Sequence, residues 1–297
     1  MSDLPAREEV PLEVLLRLAR REVEDDYGDS PRPALAALHL RATREVFDRA
    51  AVLVRDNDST QRELGVQILR ELGGERPDGR RPFHDETVAL MRARLRDETD
   101  PAVVRWIVSA LGYHRCHEAL PQVVALAGHP DERVRFHVAA ALPSLVDLDR
   151  VEPEAAGALI RLCHDEDDET RFYALYAVTR EIAGLEVQAV TELTAQLADD
   201  PDEQIRAMAA AHHEAIHEVR ELLTEAFEPG DTTGSYDHLI GPVLVTLACA
   251  GDADDAPLRL DDEIHRHLAT AADRLDTSSL AARLVTWWAD KEQRRWS

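Results

Sequence analysis

The chain has 297 residues, 44% of them hydrophobic and 31% charged, and its 58 acidic against 34 basic side chains give a formal net charge of −24. Such a balance supports a folded protein, and so negative a surface repels phosphate backbones, which excludes nucleic acid as the expected ligand. No apolar run approaches the ~18 residues of a membrane span and no basic-then-apolar leader opens the chain, so no membrane is expected and the reading is cytoplasmic. Three scattered cysteines, Cys116, Cys163 and Cys249, suggest buried thiols in place of a disulfide framework or a zinc site.

In chain order, PLEVLLRLARREVEDDY at residues 11–27 has the spacing of an amphipathic helix, so residues 1–33 are expected to form an N-terminal capping helix and linker. Five segments then align when their arginines are stacked. They are DNDSTQRELGVQILRELG on Arg62, ETDPAVVRWIVSALG on Arg105, HPDERVRFHVAAALPSL on Arg135, DEDDETRFYALYAVTRE on Arg171 and DDPDEQIRAMAAAHHEA on Arg206. In each, an acidic or small polar turn precedes a helix; Asp100-Pro101 and Asp200-Pro201 place an N-cap acceptor before a proline suited to the first turn. The longest spacing contains GGERPDGRRP, residues 73–82, a Gly/Pro-rich loop insertion. Between these helices lie HDETVALMRARLRD, EALPQVVALAG, PEAAGALIRLCHD and EVQAVTELTAQLAD, so the repeating unit is a helical hairpin and the array runs from residue 34 to 250. Residues 251–297, including SSLAARLVTWWADKEQRRW with Trp287 and Trp288, are expected to be C-terminal capping helices.

Hairpins of this period, with D-x-x-x-x-R-x-x-A-like second helices, resemble HEAT repeats, especially the short bacterial kind. The resemblance implies an all-α, right-handed α-solenoid of about six or seven stacked helical hairpins. It also implies a structural arginine ladder of Arg62, Arg105, Arg135, Arg171 and Arg206, the last four pairing with Asp100, Asp131, Asp168 and Asp202. Gln61 and Thr170 depart from the apolar residue usual before the arginine and are expected to weaken packing there.

One residue after the arginine stand Glu63, Trp106, Phe136, Phe172 and Ala207. The residues before the arginine and three and six after it mark the buried direction, and two steps of 100° turn the aromatic position to the opposite side of the helix. Trp106, Phe136 and Phe172, joined by Tyr176 one turn on, therefore form a candidate binding stripe on what the resemblance implies is the concave face. With acidic turns at its rim, this stripe suits a basic protein or peptide through cation–π contacts. The expected function is a non-catalytic protein-interaction scaffold without cofactors.

The alternative is a metal-dependent enzyme, hydrolase-like or oxygenase-like. His213-Glu214-Ala215-Ile216-His217 spells H-E-x-x-H, which puts both imidazoles on one helical face with a glutamate placed as general base. Against it, no Gly and third His follow at a metzincin spacing, and no strand-forming segment offers a substrate edge. Glu221, Glu225 and Glu228 follow too closely for a distant third glutamate, which leaves only downstream candidates such as Glu263. HEAT-repeat deoxyhypusine hydroxylases hold two irons through symmetric His-Glu pairs, but His117-Glu118 begins a first helix here while His213-Glu214 is placed at the end of a second. EDDE at 166–169 lacks the ordered loop of an EF-hand, so calcium is not expected.

Overall fold

The computed structural model describes residues 10–25, 31–148, 150–226, 236–250, 264, 268 and 280–288; of residues 249 and 250 only the backbone is described. The described elements are helical, and the chain divides into two compact units, Met1–Leu145 and Val146–Ser297. The expected C-terminal capping helices fall largely outside the described residues.

The first unit contains α1 (Leu12–Glu24), α2 (Pro33–Leu40), α3 (Arg44–Leu53), α4 (Ser59–Arg70), α5 (His84–Leu95), α6 (Pro101–Tyr113), α7 (Leu120–Val124) and α8 (Glu132–Ala141). Helix α1 turns Leu12, Leu15, Leu16, Ala19 and Val23 inward and packs on α2 and α4. The second helices α4, α6 and α8 stack in sequence, α4 on α6 and α6 on α8. That position explains why Glu63 to Leu69 and Ile107 to Gly112 are buried without interruption, where a surface helix would alternate. Leu64, Ile68, Leu69, Met91, Ile107 and Leu111 are among the fully buried side chains, each contributing about 1.5–3 kcal/mol relative to exposure.

Gly65 lets α3 and α4 approach closely: a Cβ there would meet the Val54 nitrogen at 2.7 Å and the Ala50 oxygen at 2.8 Å. The insertion at 73–82 folds into an ordered turn, with the Arg76 N–H donating to the Arg80 carbonyl and Gly73 and Gly79 taking left-handed φ of 76°. Arg81 donates to the Gly73 carbonyl and Arg115 to Glu75, which ties the insertion to its own unit.

The second unit contains α9 (Pro153–Leu162), α10 (Asp168–Tyr176), α11 (Val187–Gln196), α12 (Glu203–Ala226) and α13 (Asp237–Ala250). A π-helical turn, Ala177–Glu181, continues α10 and packs against α13. Cys163 is buried at the end of α9, and burial pushes its thiol up. Cys116 precedes a short turn, is buried too, and has its thiol raised chiefly by burial.

The repeated arginine has a fixed local duty. Its Nη1 donates to the carbonyls six and five residues upstream: Arg62 to Asp56 and Asn57 (3.2 and 2.9 Å), Arg135 to His129 and Pro130 (2.9 and 3.2 Å), Arg171 to Asp165 and Glu166 (2.9 and 3.1 Å). Arg206 does the same to Asp200 and Pro201. Two of the arginines also reach forward to a carboxylate of the next turn within their own unit. Arg62 makes a two-pronged pair with Glu98 (2.8 and 3.0 Å), and Arg171 one with Asp200 (3.0 and 3.2 Å). Arg105 instead reaches back to Glu63 at 3.3 Å.

The expected pairing of Arg171 with Asp168 is thereby corrected to Asp200, and that of Arg206 with Asp202 to turn carbonyls. The reason is that aspartates at the turn are helix caps: Asp100 accepts from the Ala102 N–H, Asp131 from Arg133 and Val134, Asp202 from Gln204 and Ile205. Asp200 is thus not the N-cap of α12. Thr170, expected to weaken packing, is fully buried and satisfied, its hydroxyl donating to the capping Asp167 at 2.6 Å.

Glu98 is the most constrained of these carboxylates, its side chain only 1% exposed. Burial pushes its pKa up, but hydrogen bonds from Arg62, the Asp100 N–H and Arg94 overcome this and hold it at about 2. A carboxyl depressed in the folded state stabilises fully above its unfolded value of ~4.3 and loses that contribution as pH falls toward the folded value. Urea unfolding of Glu98→Gln at pH 7 is expected to show about 2–3 kcal/mol lower stability than wild type, with the difference shrinking at pH 3. Gly65→Ala is expected to cost about 1–3 kcal/mol in the same assay, because the obstructing atoms include backbone.

Candidate functional site

Trp106 lies on α6, half-buried, where it is built into a network of its own unit. Its indole N–H donates to Glu63 Oε1 at 2.8 Å, and the same oxygen accepts from Arg105 at 3.3 Å and from Gln67 at 2.9 Å. The Arg70 guanidinium lies 3.7 Å from the Tyr113 ring centroid and 5.2 Å from that of Trp106, while Arg105 lies 5.5 Å from Trp106. Arg70 is held in place by Ser109 at 2.8 Å and by Glu71. Phe136 on α8 is half-buried beside His137, whose ring is 5.1 Å from Trp106. Burial first, then the Arg105 and Arg70 charges, push His137 down to about 3.

The cation–π positions over Trp106 and Tyr113 are therefore filled by the chain's own arginines. Sequence reasoning found Trp106 but missed Arg70 and Tyr113; both stand eight residues after a ladder arginine, one in each of two successive second helices, and that shared offset was the available signal.

The second unit presents a different face. On α10, Glu169, Phe172, Tyr173 and Tyr176 follow the i, i+3, i+4, i+7 spacing of one helical stripe. Phe172 meets Tyr173 edge-on at 5.8 Å and stacks with Tyr176 at 6.4 Å. Tyr173 and Tyr176 are 43% and 40% exposed, while Phe172 is half-buried beneath them. Asp168 and Glu169 are exposed in the first turn of the same helix. Tyr173 stands two residues after Arg171, outside the aromatic position that the repeats share.

His212 to Glu218, expected at the end of a helix, lie instead in the middle of the 24-residue α12. No Gly or Pro interrupts Glu203 to Ala226, and Ala, Leu, Glu and Arg favour continuation. His212 turns inward to a small apolar cavity lined by Val178, Ile182, Val190, Ile216 and Ile240; burial above all pushes it down to about 4. His213 and His217 turn the other way, into an open hollow of about 550 Å³ that Thr194, Ala198, Glu214 and Glu221 also line. The His213 and His217 Nε2 atoms are 3.2 Å apart, and His213 Nδ1 is 3.1 Å from the Thr194 hydroxyl oxygen. Trp287 Nε1 donates to Glu218 at 2.9 Å. Among the described residues, no group of three or more His, Cys, Asp or Glu is arranged to hold a metal ion. None of the described helices is long and apolar enough to cross a membrane.

Residues 88–179, which contain Arg105, Arg135 and Arg171, match the family model for HEAT repeats. Among solved structures, the X-ray structure of YibA from E. coli is similar with a TM-score of 0.55 at 14% identity, covering 96% of this chain and 99% of that one. The archaeal HEAT-like repeats protein from Thermococcus onnurineus NA1 gives a TM-score of 0.45 at 16% identity, covering 96% and 100%. No curated protein matches the sequence. Residues 88–179 thus carry HEAT repeats, and the fold is the all-α solenoid that such repeats build.

Proposed function

We propose that the chain is a non-catalytic interaction module that binds a basic segment of a protein or peptide, with the α10 stripe as its anchor. The observation that supports this reading is the pair of exposed tyrosines, Tyr173 and Tyr176, packed around Phe172 on a helix whose first turn carries exposed Asp168 and Glu169. Tyrosine is suited to such a surface: its ring contributes contact area with little rotamer entropy to lose, and its face attracts a guanidinium or ammonium group. The flanking carboxylates and the net charge of −24 favour encounter with a cationic chain.

Trp106 and Phe136, the other members of the expected stripe, are better suited to holding the first unit together than to receiving a foreign cation. Arginines of the chain already occupy the Trp106 and Tyr113 faces. A hydrolase or oxygenase centred on His213, Glu214 and His217 gains less support, because two imidazoles leave the coordination needed for catalysis incomplete.

Fluorescence anisotropy with a labelled arginine-rich nonapeptide tests the proposal. Tyr173→Ala/Tyr176→Ala is expected to weaken binding about tenfold or more with an unchanged helical circular dichroism spectrum, while His213→Ala binds as wild type. Equal binding by the double variant and wild type would show that the interaction is net-charge attraction alone and would overturn the α10 anchor.

A further inference from the structure

We propose that His213 and His217 form a two-histidine site for a divalent transition-metal ion of the zinc, nickel or copper class, with its remaining coordination positions open to the hollow beside α12. This inference is independent of the α10 reading. The two residues are four apart on one helix, so their imidazoles share a face. The separation of their Nε2 atoms, 3.2 Å, is close to the ~3.3 Å between two nitrogens that each bind a tetrahedral ion at ~2.0–2.1 Å. The helix backbone and the ring positions together set two nitrogen donors at a spacing one ion can bridge.

The hydrogen bonding fixes which nitrogen of His213 is available. Thr194 Oγ1 lies 2.9 Å from the Val190 carbonyl and 3.1 Å from that of Thr191, so its hydroxyl proton goes to the α11 backbone. The hydroxyl oxygen facing His213 Nδ1 at 3.1 Å is then the acceptor, which assigns the proton of the neutral ring to Nδ1 and a lone pair to Nε2. A partner on the far ring nitrogen that fixes tautomer and ring plane is the arrangement that metal-binding histidines use. Thr194 is in this sense a positioning residue.

With His213 Nε2 holding a lone pair, His217 must donate its Nε2 proton across the 3.2 Å gap when no ion is present. Binding an ion requires that proton to leave Nε2, and transfer through water to Nδ1 of the same ring keeps His217 neutral and exposes the second lone pair. The two rings meet edge-on, at 66° with centroids 4.8 Å apart.

The surroundings favour a cation and leave room for it. Ala195, Ala198 and Ala210 keep the hollow open, and Glu214, Glu218 and Glu221 line it. These carboxylates raise the local cation concentration. Imidazole donors select zinc, nickel and copper over magnesium and calcium, which take oxygen.

The test is isothermal titration calorimetry of Zn²⁺ and Ni²⁺ into the full chain in a non-chelating buffer, with thermal melting alongside. Wild type is expected to bind one ion per chain and to gain melting temperature on adding zinc. His217→Ala, a change at an exposed position, is expected to weaken binding at least tenfold and abolish the thermal shift, and His213→Ala to do the same. Thr194→Val, which removes the acceptor while keeping the shape, is expected to weaken binding severalfold. His164→Ala, at another exposed histidine, is expected to bind as wild type. Absence of saturable binding in wild type, or binding that survives in the His213→Ala/His217→Ala double variant with an unchanged circular dichroism spectrum, would overturn the site. Unaltered binding by Thr194→Val would overturn the positioning role.

Discussion

The helical hairpins depend on an arginine that closes the acidic turn ahead of its own helix. A turn leaves carbonyls without helical partners, and Nη1 of Arg62, Arg135, Arg171 and Arg206 satisfies two of them at the same offset each time. Charge makes those bonds stronger than neutral ones, and the planar guanidinium has further N–H groups to spend elsewhere. Arg62 and Arg171 use them on a carboxylate of the following turn, which links one hairpin to the next. Burying such ions is costly in isolation, and full hydrogen bonding on both sides is what makes the arrangement tolerable. The turn is consequently acidic for two separate reasons: its aspartates cap the next helix, and its carboxylates receive the previous arginine.

This division of labour bears on the meaning of the charge of −24. Some carboxylates, Glu98 and Asp200 among them, are neutralised within the structure and contribute little field outside it. In the first unit two arginines outside the ladder are also drawn inward: Arg70 covers Tyr113 and Trp106, and Arg94 joins Arg62 on Glu98. Aromatic residues do not by their presence define a cation-binding surface, because the first cations to reach them belong to the same chain. On α10 the aromatic rings and exposed acids share one helix, which is why the binding reading rests there.

The hairpin pattern was legible because its causes are local. N-caps and the arginine's reach to carbonyls five and six residues back operate within one segment, so the repeats write similar letters. The lateral partners were not legible: Glu63 meets Trp106 across 43 residues and Arg171 meets Asp200 across 29, and the register of those contacts is set by stacking, which no single segment encodes. The Asp168 pairing failed for this reason, as a nearer aspartate was preferred in sequence to the one that stacking delivers. The length of α12 was available in principle, since its sequence contains no breaker.

Consecutive histidines on α12 show how one helix can serve two environments. A step of one residue turns the side chain by 100°, enough to send His212 into the apolar cavity against Ile216 and Ile240 and His213 toward Thr194 and the open hollow. Burial keeps His212 neutral, with its pKa near 4, so the inward ring packs as an uncharged plate. His213 has no comparable apolar surroundings to satisfy. Its Nδ1 is engaged by a hydroxyl whose own proton is committed to the α11 backbone, and this leaves Nε2, facing His217, as the end of the ring from which chemistry can begin. The H-E-x-x-H letters thus have a physical content narrower than their usual meaning: the i, i+4 spacing and a single threonine on the neighbouring helix are what bring two nitrogen donors together.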